Sequence, residues 1–244
     1  MEIVPLLPDL HLIKPVFGQT YLWRDGSELT FIDTGVPGSA PDLAAAFAEL
    51  GYRRADLRRI VLTHCHDDHI GFAADLAGWG DVEVLAHHRD AAVVRGERQR
   101  DEPVLTEREK LLFAQVTAGM PAAPPCAVDT ELSDGDLIDF GGGAHVIGAP
   151  GHTDGSIAVH LPAHGVLFTG DLVANSPQGV ILGPFNTDRA RAKESFVDLV
   201  QIPADVVCFG HGDPLTAGPT WQALGERCRS GPAAVPDPMG QDVS

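Results

Sequence analysis

The sequence predicts an α/β fold, and three features carry that prediction. Apolar strand-like runs alternate with helical spacing between residues 29 and 86. Glycine-containing polar turns follow several of these runs, where strand ends present functional groups in α/β proteins. The length of 244 residues and the 44% hydrophobic composition provide for one sizeable core, read as a single domain over 1–229.

Residues 3–31 are short apolar runs broken by Pro5, Pro8, Pro15, Gly18 and Gly26, a meander of strands with Asp25-Gly26 as a hairpin turn. The run 29–35 is a buried strand ending in Asp33-Thr34-Gly35, where Asp33 either faces a site or caps a turn. Leu43, Ala46, Phe47 and Leu50 follow Ser-Ala-Pro at helical spacing and precede Gly51, which predicts a helix over 39–50. Residues 58–63 form a strand, 70–77 a helix and 82–86 a further strand. Over 95–125 a charged stretch, a helical pattern at 106–118 and a proline-rich exit interrupt the alternation. This insertion either covers a site or is a solvated excursion.

Beyond it, β-type segments at 137–140, 145–149, 156–161 and 166–169 predict a second sheet. Gly141-Gly142-Gly143 joins two of these strands with no helix after it, so it reads as a flexible hairpin rather than a phosphate cradle. A helix over 187–200, a strand over 206–209 and a helix over 219–228 complete the order. The Pro/Gly/Asp/Ala-rich stretch 230–244 has little to bury and reads as a disordered tail.

Charge and cysteine content narrow the function classes. Lys and Arg number 17 against 34 Asp and Glu, a net charge of −17 that disfavours nucleic acid or anionic membrane as partners. The four cysteines, Cys65, Cys126, Cys208 and Cys228, form no C-x-x-C pair and fit reduced thiols. Met1-Glu2-Ile3-Val4-Pro5 lacks a basic region leading into an apolar stretch, and no run approaches roughly 18 apolar residues. A cytoplasmic protein with a small-molecule substrate and an oligomeric state not set by sequence is the expectation.

The chemistry is concentrated in His64-Cys65-His66-Asp67-Asp68-His69, which follows the apolar Ile60-Val61-Leu62. Three imidazoles so close repel if charged and waste hydrogen-bonding capacity if buried neutral, unless an electrophile collects their lone pairs. A divalent metal, zinc above all, accepts imidazole nitrogen and carboxylate oxygen together. Three more glycine-flanked turns offer donors: Gly151-His152-Thr153, Thr169-Gly170-Asp171 and Gly210-His211-Gly212. Glycine beside each donor lets backbones crowd around an ion without Cβ clashes. Cys65 alternates away from the donors and reads as packing; His87 and His88 read as a solvent-exposed pair at a strand end; His11, His145, His160 and His164 have no ligand-like setting. Phe17, Gln19, Asn175, Ser176 and Phe185 are candidates for substrate contact.

With its H-x-H-x-D-H loop and three later donors in order, the chain resembles the metallo-β-lactamase-fold metal-dependent hydrolases over residues 17–211. The resemblance implies a four-layer αβ/βα sandwich with a two-metal site in a groove at one edge of the packed sheets. It assigns His64, His66 and His152 to one divalent ion, most naturally Zn2+, and Asp68, His69 and His211 to a second, with Asp171 bridging. A hydroxide shared by the two ions would attack a carbonyl, and the leaving group would take its proton from Asp68 or from water. His66 stands where diiron oxygen-reducing members carry Glu; Asp171 stands where the most familiar secreted β-lactamases carry Cys; the nuclease branches need basic surface. What remains is the small glyoxalase II-like or lactonase-like branch acting on an ester, thioester or lactone. After His211 one helix stands where glyoxalase II-like enzymes have a helical region for glutathione, and Tyr21 and Tyr52 lie outside the groove-lining stretches. A mononuclear iron persulfide-dioxygenase-like oxidoreductase and a non-catalytic metal-binding protein are the alternatives.

Overall fold

A computed structural model describes residues 2–14, 17–38 and 40–240. The first sheet has seven strands in sequence order: β1 (Glu2–Leu7), β2 (Leu10–Lys14), β3 (Thr20–Asp25), β4 (Glu28–Ile32), β5 (Leu57–Leu62), β6 (Glu83–His87) and β7 (Thr130–Leu132). β1 to β4 pair antiparallel, the meander expected from the turn residues, and β4 to β7 pair parallel. The parallel connections carry α1 (Ala40–Glu49), α2 (Asp67–Ile70), α3 (Ala73–Ala77), α4 (His88–Val94) and α5 (Glu107–Thr117). The second sheet contains β8 (Leu137–Ile138), β9 (Ala144–Gly148), β10 (Ile157–Leu161) and β11 (Val166–Phe168). A separate hairpin, β12 (Val173–Ser176) with β13 (Gly179–Leu182), precedes α6 (Arg189–Leu199). β14 (Val206–Cys208) then pairs parallel with β11, and α7 (Gly218–Cys228) follows.

Strand alternation creates the layers. On β3, Tyr21 and Trp23 point between the sheets whereas Leu22 points outward; on β5, Val61 points between them whereas Ile60 and Leu62 point outward. Tyr21, Trp23, Val61, Val159 and Phe168 belong to the core shared by the two sheets. Leu43 and Phe47 of α1 and Leu76 of α3 cover the outer face of the first sheet. Phe196 of α6 and Trp221 of α7 cover the outer face of the second. The order helix, sheet, sheet, helix is the four-layer sandwich.

Several local expectations are corrected. The helix expected over 70–77 is two pieces, because Gly71 N donates to Gly35 O at 2.9 Å and Phe72 N donates to Thr34 Oγ1 at 3.1 Å, which diverts the chain from a continuous helix. Asp68 and His69 therefore sit on a helical turn. β7 and the β12–β13 hairpin were not anticipated, and Asn175 and Ser176 lie in β12 rather than in a loop. Pro15 and Ser39, read as a turn and a helix start, lie outside the described residues.

The stretch 230–240 is not a loose tail. Val235 is 7% exposed and joins the core around α6 and α7, while Asp237 accepts from Arg189 at 2.8 Å and pairs with Lys193 at 3.0 Å. Arg189 also pairs with Glu109, which is 0% exposed and closes a capping box with Thr106 at the start of α5. Thr106 Oγ1 and Arg108 donate to the Met239 and Pro238 carbonyls. A composition poor in apolar residues concealed the stretch, because its anchors are charges supplied by distant helices. Residues 241–244 lie outside the described residues.

Among the described residues no helix is long and apolar enough to cross a membrane. Removal of Arg189 leaves Glu109 as an uncompensated buried charge. The Arg189→Ala variant is expected to lose about 3–5 kcal/mol of stability, measured as a lower urea midpoint with an unchanged slope.

Candidate metal centre

Four strands of the sandwich deliver polar turns to one edge. β5 leads to Thr63-His64, β9 to His152, β11 to Asp171 and β14 to His211. All seven sequence-predicted donors meet there in two groups, His64 with His66 and His152, and Asp68 with His69, Asp171 and His211. In each group the donor atoms lie within 4.8 Å of one another.

In the first group His66 Nδ1 lies 3.1 Å from His64 Nε2 and 3.0 Å from His152 Nε2. At most one of these contacts can be a well-aligned N–H···N hydrogen bond. Donor separations of this size suit a cation among the three nitrogens, since tetrahedral coordination with bonds of roughly 2.0–2.1 Å has edges of about 3.3 Å. In the second group His211 Nε2 lies 3.1 Å from Asp68 Oδ2 and 3.2 Å from Asp171 Oδ2. His69 Nε2 and Asp171 Oδ1 are 3.1 Å apart, yet both are buried without a hydrogen-bond partner. Orphaned buried donors aimed at a common point are what a metal site requires. Asp171 Oδ2 also lies 3.7 Å from His152 Nε2 and 4.0 Å from His64 Nε2, so this carboxylate stands between the groups.

Asp33 orients both groups, the site-facing alternative of its two sequence readings. It is 3% exposed and accepts from Thr63 N and Thr63 Oγ1 at 2.7 Å each and from His69 Nδ1 at 2.8 Å. The single Thr63 hydroxyl proton goes to Asp33, so Thr63 Oγ1 accepts from His64 Nδ1 at 3.0 Å. Asp33 thereby takes the Nδ1–H of His69 directly and that of His64 through Thr63, which leaves Nε2 of both rings facing the site. Asp33 achieves this at a left-handed φ of 58°. That conformation costs about 1–2 kcal/mol, less than three charge-assisted hydrogen bonds of about 1.5–3 kcal/mol each return.

Asp90 on α4 plays the corresponding part for His66 and His152. Its carboxylate accepts from Cys65 N at 3.0 Å, Thr153 Oγ1 at 2.7 Å and Gly155 N at 2.9 Å, tying the two donor turns together. Gly210 shows why glycine flanks the donors: a Cβ there would lie 1.9 Å from Asp171 Oδ1 and 2.7 Å from the His69 ring. Tyr21, read as outside the groove, donates to Phe209 O at 2.7 Å and holds the turn that carries His211.

Charge divides the groups. Burial, with neighbouring imidazoles adding to it, holds His64 well below its ordinary value, and burial first lowers His66 to about 3. Burial also lowers His152, so three neutral imidazoles face one another. In the second group burial opposes ionisation, but it is outweighed: the Asp171 and Asp68 carboxylates push His211 up to about 10, and His69 and His211 draw Asp68 down to about 2. Burial is likewise outweighed at His69, which the Asp171, Asp68 and Asp33 carboxylates hold well above its ordinary value, so the first group can take a cation at neutral pH whereas His69 and His211 would have to release protons.

The site opens into a cavity of about 300 Å³ that Leu112, Phe113 and Val116 of α5 help to line. Arg100 bonds Asp67 at 2.6 Å and Ala123 N donates to the same carboxylate at 2.8 Å, fastening both ends of the insertion to the donor loop. Phe17 and Phe185 line the cavity. Gln19 faces Tyr21, and the Asn175 amide bonds Asp213 O, so neither they nor Ser176 lines it. His87 is 8% exposed rather than solvent-facing, and with His88 it lies away from the donors. Asp90 and Thr63 escaped sequence reading because their partners are tertiary; the apolar spacing of Leu112, Val116 and Met120 was a legible signal of the roof.

Comparison with known proteins agrees with this geometry. Residues 13–211 match the family model described as the metallo-β-lactamase superfamily. The chain belongs to that superfamily. It is 32% identical over 193 residues to a hydroxyacylglutathione hydrolase of Rhodobacter capsulatus, covering 78% of this chain but 60% of that relative's length. It is 29% identical over 203 residues to the probable metallo-hydrolase YflN of Bacillus subtilis, with coverage of 76% and 75%. A metallo-β-lactamase family protein from Thermus thermophilus superposes with a TM-score of 0.66 at 25% identity, covering 93% of this chain and 81% of the other. A metallo-β-lactamase from Cronobacter sakazakii shares the fold, with a TM-score of 0.68 at 23% identity over 87% and 78%. The protein is a metal-dependent hydrolase of this superfamily, with a His/Asp site that could hold metal.

Asparagine tolerates a left-handed φ, so Asp33→Asn removes the charge while sparing the backbone. This variant is expected to fold and to bind zinc roughly 10–100-fold more weakly, read by competitive titration against a fluorescent chelator.

Proposed function

We propose that the chain is a dinuclear hydrolase that cleaves a small ester, thioester or lactone. The observation that carries this reading is the position of Asp171 between two donor groups, with Asp171 Oδ2 3.2 Å from His211 Nε2 and 3.7 Å from His152 Nε2. His64, His66 and His152 would hold one divalent ion and Asp68, His69 and His211 the other, with Asp171 shared. Zinc suits this set of imidazole and carboxylate donors. When bound, such ions make water nucleophilic near neutral pH and polarise a carbonyl oxygen.

The chain's own residues supply orientation and proton handling. Asp33 and Thr63 keep the His64 and His69 nitrogens pointed inward, and Asp90 keeps the His66 and His152 turns in register. Asp68 borders the cavity and is the candidate to pass a proton to the leaving group. The α5 roof limits water around the reacting carbonyl. Four buried free cysteines fit a reducing compartment, which supports placement in the cytoplasm.

Zinc-loaded protein is expected to contain about two ions per chain and to turn over members of an ester, thioester and lactone panel. The Asp171→Ala variant is expected to lose on the order of 10³-fold in kcat. One iron per chain, with oxygen uptake on a persulfide and no hydrolysis, would replace this reading with the dioxygenase alternative.

A further inference from the structure

The cavity beside the donors is apolar on the sides that a substrate's acyl group would meet. Leu112, Phe113 and Val116 of α5, with Met120 just after it, form one wall, and Phe17 and Phe185 line the same space. These four wall residues are only half-buried, so the wall retains apolar surface to cover. The aromatic members are fixed: Phe17 packs against the His211 ring at 5.0 Å, and Phe113 meets Phe185 edge-on at 5.1 Å. Phe185 holds a left-handed φ of 65°, and its N–H donates to the buried Glu109 carboxylate at 2.9 Å.

Charge selects in the same direction. Arg100 is the lysine or arginine among the lining residues, and Asp67 already neutralises it at 2.6 Å. Apart from the metal-donor residues, the other charged lining residue is Asp67, the partner of Arg100, and the chain carries a net charge of −17. A carboxylate on the acyl group would meet no unpaired lysine or arginine there and would lose its hydration.

We infer that this site takes a neutral ester, thioester or lactone whose acyl group is a medium-length aliphatic or aromatic chain, seated between α5 and the Phe17–Phe185 side. The inference rests on the hydrolase reading for the bond that is cleaved, but the apolar seat is measured without cleavage. Each methylene buried strengthens binding roughly three- to fourfold.

Methyl ketones present a carbonyl that cannot be hydrolysed, so calorimetry of zinc-loaded protein with 2-hexanone, 2-decanone and 9-oxodecanoate tests the seat alone. 2-Decanone is expected to bind roughly tenfold or more tighter than 2-hexanone, and tighter than 9-oxodecanoate, its counterpart with a terminal carboxylate. Val116→Phe is expected to narrow the gap between the two neutral ketones. Equal affinity for the neutral ketones, or tighter binding of the carboxylate, would overturn the inference. Discrimination by length without turnover of any ester, thioester or lactone would leave the seat in place and remove the hydrolase reading.

Discussion

The Asp33 carboxylate is the constraint on which the rest of the site depends. Buried as it is, this carboxylate must be satisfied by hydrogen-bond donors, and Thr63, just after β5, and the His69 ring provide them. These bonds join the residue just after β4 to the donor loop after β5, in the parallel part of the first sheet. The inward-facing Nε2 atoms of His64 and His69 therefore follow from the pairing of β4 with β5. Asp90 repeats the device across the interface between the two halves of the sandwich.

The two donor groups carry different chemistry. The first group, dominated by the donor loop, is three neutral imidazoles; the second has two carboxylates and two imidazoles that neutralise one another. This distribution lets a chain with an excess of acidic residues keep a compact cluster of histidines without accumulating buried charge. The price is paid in protons, which the second group must surrender before it can hold a cation.

The sequence made the α/β class and the donor cluster legible because each has a local signature. Alternation on strands such as Thr20–Asp25 and the density of His64–His69 can be read within a few residues. Asp90 could not be read that way, being one of 34 acidic residues whose partners lie 25 to 65 positions away. The division of α2 from α3 was hidden for a related reason: Gly71 and Phe72 bond residues 36 and 38 positions earlier. The same applies to 230–240, whose low apolar content was visible while its attachment to Arg189 and Lys193 was not.

Arg189 joins three segments that are remote in sequence: the start of the roof helix, the α6 helix on which it lies, and the stretch containing Asp237. Substitutions in the roof and in that stretch are consequently not independent, because each changes what the shared guanidinium must neutralise. In evolutionary terms, a lineage can vary the cavity-facing side of α5 freely, whereas Glu109 and Asp237 are constrained to change together. Substrate range can therefore drift on one face of a helix while the other face remains a fixed electrostatic fastening.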